Sequence, residues 1–469
     1  MNILIFSAVK IYPADAGSRI RILNFTKYLL SQGHQVHYVY YTDDGISKVH
    51  FEYMSDLCDT FTVIAREEKF LRKTGNYTLD EVYEESIYTK INELINIFDI
   101  EAVMINYFFY SKFFEYLPKN IYKIIDTHDK FTDRYTLFED TNVLYDWHSY
   151  AKEDEAKALN RADMVLSITD EEKNYFSTLC NENVRVQTIG HIDNKRYLTK
   201  EYTTLKKIGF IGGANKVNIA AINAFLEDFY TLCTHKDDVE IVIAGQICNH
   251  ITNKASNITL LGLIDELEDF YKKVDVVINP LTFGTGQKIK SVEALSFGLP
   301  ILSTNVGFEG IKSNNKFHHL VGLKELIFAI DSIIEDPNEL KKLAFESRAV
   351  FDLYCDDIYT NLNTIFPRDE KKRDYKLLFE QSSTIQRETY NTLIDTYLEA
   401  SKRRNLTIKE QKKEIEQNQK KIQQQSQTIL KNRVILDAIE EITKVSFIKH
   451  PIQKYTLYKK LLQEYYATR

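Results

Sequence analysis

The stretch from Pro280 to Gly310, PLTFGTGQKIKSVEALSFGLPILSTNVGFEG, constrains the fold more than any other. The run VDVVIN before it is short, apolar and β-branched, which predicts a buried strand. Gly284-Thr285-Gly286 then supplies a backbone free of bulky side chains, and the helical spacing that follows is closed by Gly298-Leu299-Pro300 ahead of a second apolar strand, ILST. The first turn of that helix offers unpaired N–H groups and a partial positive charge, to which Lys288 and Lys290 add full charges. An anion such as phosphate fits there. Glu293 lies roughly 8 to 10 Å beyond the loop, at about 1.5 Å per residue, and suits a sugar hydroxyl. Diphosphate at the helix start and ribose beside the helix together describe a nucleotide. The plain alternative is an ordinary crossover with a charged surface helix.

The rest of the chain to about residue 366 alternates in the same way. NILIFS reads as a strand, then a loop, an amphipathic helix and the strand QVHYVYY. TFTVIA, a helix near 80 to 98, EAVMINY and a short helix follow, and then YKIIDTHDKFTDRY. A strand KIID ending in Asp126-Thr127-His128-Asp129 puts titratable groups at the carboxyl edge of a parallel sheet, where open α/β folds hold their ligands. His128 is the candidate there, with Asp126 or Asp129 orienting its ring and Arg134 within reach of the same cleft. Helix EDEAKALNRA, strand DMVLSIT and helix DEEKNYFSTL precede VRVQTIGHIDNKRYL, and a hinge is expected near 192 to 205. A second series opens with KKIGFIGGANKVN, where Gly212-Gly213 runs into a helix beginning near Lys216 and repeats the phosphate-site logic. VEIVIAG, NITLLGLID and ELEDFYKKV lead back to the opening stretch, and helices near 322 to 334 and 337 to 351 finish the series.

The pattern G-T-G-x-K-x-K-x-x-E-A-L-x-x-G-x-P-I-L-S-T resembles the donor site of family 4 glycosyltransferases, of group 1 type. The resemblance implies an α/β chain of GT-B architecture, two Rossmann-like doubly wound domains facing a cleft, and retaining chemistry. It also implies that Glu293 holds the donor ribose as the second carboxylate of an E-x7-E pair; the first falls on Thr285, so loop amides would take its place. Gly17, Gly33, His34 and Val36 match the family's first βαβ unit. Gly17, with Arg19 as a charge partner, would let the backbone approach a phosphate or acceptor, or else Gly17 caps a turn and both Arg19 and Arg21 are solvated. His128 matches the family's cleft histidine, implying contact with donor sugar or acceptor. Gly190-His191-Ile192-Asp193 holds the place of an interdomain N-G-V-D motif, and His191 either borders the cleft or lies on the surface. Where relatives carry an Arg and a Lys for the leaving diphosphate, this chain leaves Lys216 as a substitute, which shifts phosphate neutralisation towards Lys288. Leu263 and Ile264 occupy the turn that borders the nucleobase in that family.

At 469 residues the chain is long enough for two cores and an appendage. The domains read as 1–195 on the acceptor side, 205–366 on the nucleotide-sugar side and a helical tail over 370–469. A formal charge of -7 argues against general nucleic-acid binding, and five scattered cysteines without a C-x-x-C pair fit a reducing cytosol. The opening MNILIFSAVKIYP predicts neither a signal nor a spanning helix. No Asp-x-Asp pair or zinc-spaced histidine cluster is present, so no metal and no cofactor beyond the nucleotide sugar are expected.

From Arg368 the composition turns to Lys, Glu, Gln and Asn. Ile408, Ile415, Ile422 and Ile429 recur at a spacing of seven, with Gln411, Asn418, Gln425 and Asn432 three residues after each. Apolar a over polar d describes a modest coiled coil over about 405–440 and self-association; the alternative is a solvated single helix. The end, FIKHPIQKYTLYKKLLQEYYATR, either touches an anionic bilayer or docks on protein. The expectation is a cytoplasmic glycosyltransferase, in solution or peripheral at the inner face of the membrane, acting on a glycan, lipid-linked or protein acceptor. A sugar-nucleotide epimerase and a non-catalytic GT-B scaffold subunit are the alternatives.

Overall fold

In the computed structural model the described residues are 1–14, 16–67, 72–138, 148–284 and 286–368, with single positions at 417, 459–461 and 463. Thr285 and the heptad positions Ile408, Ile415, Ile422 and Ile429 lie outside them. The chain divides into two compact units, Met1–Arg387 and Glu388–Arg469, and both sheets belong to the first.

The first sheet has seven strands: β1 (Asn2–Ser7), β2 (Gln35–Thr42), β3 (Thr60–Ala65), β4 (Ala102–Asn106), β5 (Tyr122–Asp126), β6 (Met164–Ser167) and β7 (Arg185–Thr188). They run in the order β3-β2-β1-β4-β5-β6-β7. All are parallel, with Ile3 beside Val36 on one side and Ala102 on the other. Because helices cover both faces, the inner strands are buried along their length and read as apolar runs rather than alternating ones. Those helices include α1 (Gly17–Ser31), α2 (Lys48–Leu57), α3 (Glu85–Phe98), α4 (Lys152–Leu159) and α5 (Asp170–Ser177).

The second sheet holds β8 (Lys207–Ile211), β9 (Glu240–Ala244), β10 (Ile258–Gly262), β11 (Val276–Asn279) and β12 (Ile301–Ser303), in the order β10-β9-β8-β11-β12 and parallel throughout. Its helices are α6 (Lys216–Leu232), α7 (Leu267–Tyr271), α8 (Ile289–Ser296), α9 (Leu323–Glu335) and α10 (Pro337–Ile365). Each sheet has its own core. One gathers Phe6, Tyr41, Phe108, Phe113 and Phe176, and the other Phe210, Phe225, Phe270, Tyr271 and Phe351.

Three local elements depart from the sequence expectation. Helix α10 continues well past residue 351, because Cys355, Ile358, Leu362 and Ile365 prolong its buried stripe. The strand β7 stands at a sheet edge where RVQT is only partly buried, so it carries no apolar signature. Helix α2 was unmarked apart from its cap, in which Ser47 accepts from the His50 amide at 3.3 Å.

The extra turns of α10 tie the sheets together. Phe351 and Cys355 belong to the second core, while Phe366, just past the helix, packs edge-on against Phe25 of α1. Between them Tyr359 stacks on Tyr28, whose hydroxyl donates to Asn363 at 2.8 Å. The first sheet reverses its strand order between β1 and β4 and the second between β8 and β11. Loops after these strands are where an open α/β sheet forms its crevice. The α10 return therefore holds two ligand-forming edges together in one unit.

Candidate functional site

The two edges enclose a cavity of about 210 Å³ lined by Gly17, Ser18, Arg21, Tyr107, His128, Asp129, Ile168, His191, Gly286, Gln287 and Ile289. Helices α1 and α8 both begin at it. A Cβ placed on Gly17 would stand 2.7 Å from Ile289 Cδ1, so the starts of the two helices are in close contact here and a side chain at Gly17 would displace that of Ile289. Neither helix has a side-chain N-cap bond, since Ala16 and Lys288 occupy the cap positions, whereas α6 is capped by Asn215. Two uncapped helix starts therefore present leading amides and positive dipole ends to the same space, an arrangement that favours an anion.

On the first-sheet side, Tyr107 follows β4 and His128 comes shortly after β5, with φ of 68° and 64°. Left-handed backbone at non-glycine residues is strained, and here it turns both rings into the cleft. The rings stack at 4.3 Å between centroids. The His128 Nε2 lies 2.8 Å from Asn106 Oδ1, and Asn106 Nδ2 donates to the Phe6 carbonyl at 3.3 Å. That network assigns the proton to Nε2 and leaves Nδ1 as an acceptor. Burial lowers the His128 pKa to about 4, so the ring is neutral near pH 7.

Below the histidine sits a buried ion pair. Arg21 donates to Asp126 through Nε at 2.9 Å and Nη2 at 2.7 Å, and its Nη1 donates to the Gly190 carbonyl at 2.9 Å. Burial pushes the Asp126 carboxyl up, but the Arg21 charge and its hydrogen bonds more than offset this and leave it below its ordinary value. Asp126 Oδ2 is 3.4 Å from His128 Nε2, a longer approach than that of Asn106. Asp129 turns instead to an ion pair with Arg134 and lines the cavity with that arginine behind it. Arg19, in the first turn of α1, donates to the Pro13 carbonyl of the preceding loop at 3.3 Å; the cavity-lining arginine is Arg21. The surface alternative for His191 is corrected, since it is buried beside the cavity.

On the second-sheet side, Gly284 and Gly286 take φ of 109° and 77°, values open to glycine at little cost. Lys288 folds back onto this loop: its Nζ donates to the Gly286 carbonyl and pairs with Glu309 Oε2 at 3.0 Å. Lys290 points towards the β8 loop, donating to Asn218 Oδ1 at 2.6 Å, while Asn218 Nδ2 donates to the Gly213 carbonyl at 3.0 Å. Burial, with the Lys288 charge adding to it, lowers the Lys290 pKa to about 7. The lysine beside Gly212-Gly213 is thus Lys290; Lys216 is exposed at the first position of α6. Glu293 Oε1 accepts from the Tyr271 hydroxyl at 2.6 Å. Burial raises its pKa to about 7, opposed by the Tyr271 bond and reinforced by Asp193. Leu263 is exposed and Ile264 half-buried in the turn after β10.

Gln287 joins the two sides. Its Oε1 accepts from the His191 amide at 2.7 Å and its Nε2 donates to the Gly310 carbonyl at 3.0 Å, while the Tyr354 hydroxyl of α10 lies 2.9 Å from that Oε1. Of the residues anticipated from sequence, the cavity gathers Gly17, His128, Asp129, His191 and Gly286; Lys288, Glu293, Gly212, Gly213, Leu263 and Ile264 follow α8 and the neighbouring loops instead. Asn106, Tyr107, Gln287 and Tyr271 were not anticipated, and the solvated alternative for Arg21 is corrected, since it is buried against Asp126. An arginine in the apolar stripe of a helix was the available signal for Arg21. Among the described residues no group of His, Cys, Asp and Glu is disposed to hold a metal ion, and no helix is long and apolar enough to cross a membrane.

Two parallel sheets with ligand loops facing across a cleft, closed by a returning helix, define the GT-B class of fold. Residues 205–336 match the family model for glycosyl transferases group 1. Sucrose-phosphate synthase from Thermosynechococcus elongatus superposes with a TM-score of 0.56 at 14% identity, covering 84% of this chain and 100% of its own. Anabaena Alr3699/HepE, solved in complex with UDP, gives 0.55 at 12% identity over 78% of this chain and 98% of its own. Both likenesses concern the fold. In sequence, an uncharacterized 44.6 kDa protein in the cps region of Klebsiella pneumoniae is 21% identical over 391 residues, 74% of this chain and 94% of that protein.

Proposed function

We propose that this protein transfers a sugar from a nucleotide diphosphate sugar to a glycan, lipid-linked or protein acceptor, with retention of configuration and without a metal. The observation that carries this reading is the meeting of two uncapped helix starts, α1 and α8, at one small cavity containing His128. Diphosphate at the start of α8 would be stabilised by the helix amides and by Lys290, with ribose hydroxyls donating to Glu293. The sugar then extends into the cavity, which is smaller than most whole-ligand pockets and suits a single ring. There the neutral His128 accepts a hydroxyl hydrogen bond at Nδ1. In the transfer, the C1–O bond to the diphosphate breaks and its electrons leave with the phosphate. The acceptor oxygen bonds C1 on the same face, and its proton passes to the departing phosphate oxygen.

The group 1 match of the second domain and the UDP and glucose bound by HepE support a nucleotide-sugar donor. The relative in a cps region supports a role in bacterial surface polysaccharide synthesis. A cytoplasmic enzyme, self-associating through its tail and approaching the inner face of the membrane, fits such a pathway. The test is release of nucleoside diphosphate from a panel of nucleotide sugars, together with new mass on candidate acceptors. Turnover from one donor, lost in His128→Ala and Glu293→Ala, is expected. Isomerised donor without acceptor modification would replace the reading with an epimerase, and no turnover with any donor and acceptor would leave a scaffold.

A further inference from the structure

The cavity contains a second imidazole, at His191. It is 2% exposed and lines the cavity with His128, Gly286 and Gln287. Its backbone is held on both sides: the amide donates to Gln287 Oε1 at 2.7 Å, and the carbonyl accepts from the Tyr354 hydroxyl at 2.8 Å. Yet neither ring nitrogen has a hydrogen-bond partner among the described residues. Position and fold are thus secured by the main chain, while the ring's donor and acceptor are left over. A buried polar group in that condition is a liability to stability, and most buried polar groups in proteins are paired.

The leftover capacity has a definite chemistry. Burial, reinforced by the Arg21 charge, lowers the His191 pKa to about 3, so the ring is neutral with one N–H donor and one lone pair. A sugar hydroxyl, which both donates and accepts, is the complementary group. His128 has already committed its Nε2 to Asn106 and offers a single acceptor. We propose that His191 hydrogen-bonds a hydroxyl of the transferred sugar and thereby sets which sugar the site accepts. This rests on the nucleotide-sugar reading above. The sugar sits between two imidazoles carried by the loops after β5 and β7, and the His191 backbone is tied to the glycine loop through Gln287, which links ring recognition to the diphosphate seat.

Calorimetric titration of the full-length protein with UDP and UDP-glucose, GDP and GDP-mannose, and ADP and ADP-glucose first finds the pair that binds. For that pair, the ratio of the two affinities isolates the sugar. His191→Met keeps bulk and apolar packing while removing both nitrogens. The expected result is unchanged affinity for the nucleoside diphosphate and roughly two- to tenfold weaker binding of the nucleotide sugar, the loss of about one hydrogen bond. Its melting temperature should equal or exceed that of the unmodified protein, because an unsatisfied buried group is gone. His191→Gln, which restores a donor and an acceptor, should recover part of the preference for the sugar. An unchanged affinity ratio in His191→Met overturns the proposal, as does a lowered melting temperature with both affinities reduced alike. Absence of binding by every pair overturns the nucleotide-sugar reading and this inference with it, so the two failures are distinguishable.

Discussion

Replacing Glu293 by Gln separates the charge of this carboxylate from its shape. Glutamine can still accept from the Tyr271 hydroxyl, so the local packing survives. The carboxyl has its pKa raised to about 7, first by burial. Ribose hydroxyls are donors and bind an ionised carboxylate better than a neutral acceptor. With half-ionisation near 7, the charged fraction falls from roughly nine-tenths at pH 8 to one-tenth at pH 6, so nucleotide-sugar affinity should fall about tenfold over that range. Lys290, also lowered to about 7, loses charge as pH rises and imposes the opposite slope. Because Lys290 is present in both proteins, subtracting the Glu293→Gln profile removes its share. Calorimetry with the donor that turns over should show the variant about tenfold weaker at pH 8 and convergent with the unmodified protein at pH 6. Full affinity of the variant at pH 8, or an undiminished acid limb, would refute the argument. Stability supplies an independent sign. The folded pKa lies above the ordinary 4.5, so the stabilising contribution of the neutral carboxyl is complete below about 4.5 and is lost as pH rises through about 7. The melting temperature of the ligand-free protein should therefore decline between pH 5 and 8 more steeply than that of Glu293→Gln.

Asp126→Ala strands the Arg21 guanidinium in a buried site and should cost about 3–5 kcal/mol by denaturant unfolding, against less than 1 kcal/mol for breaking the exposed Lys48–Glu52 pair with Glu52→Ala. Lys290→Ala should weaken nucleoside diphosphate binding about tenfold or more while Lys216→Ala leaves it within twofold, since only Lys290 reaches the Gly213 loop through Asn218. Equal effects of the two would place the phosphates nearer the start of α6. Ile415→Asp with Ile422→Asp, introduced into the full chain, should lower the mass measured by sedimentation if the heptads associate, and leave it unchanged if the tail is a solvated helix.

Much of the fold was legible because parallel strands buried on both faces read as apolar runs, and glycine loops mark where each strand turns over the sheet edge. NILIFS and TFTVIA became β1 and β3 with the anticipated bounds. The edge strand β7 and helix α2 were not legible, since neither has to bury a continuous apolar run. At the site, Gly17, His128 and Gly286 were visible because each falls after a strand, at the edge where a parallel sheet holds its ligands. Arg21 was hidden because its partner Asp126 lies 105 positions away, and Tyr271 because its partner is on another helix.

What the sequence determined by itself is therefore the local order: which runs are strands, where the glycine loops fall, and that α8 begins beside paired lysines. Hydrophobic period and backbone freedom are short-range properties, readable without knowing what lies across the cleft. Tertiary structure alone decided which charges are spent and which are available. Lys288 is matched by Glu309, Arg21 is locked to Asp126, and Lys290 and Glu293 are brought near neutrality by burial. It also left His191 with unspent ring nitrogens beside the cavity, because its backbone is satisfied by Gln287 and Tyr354. Those outcomes depend on desolvation and on partners distant in the chain, quantities that exist only once the two sheets face each other.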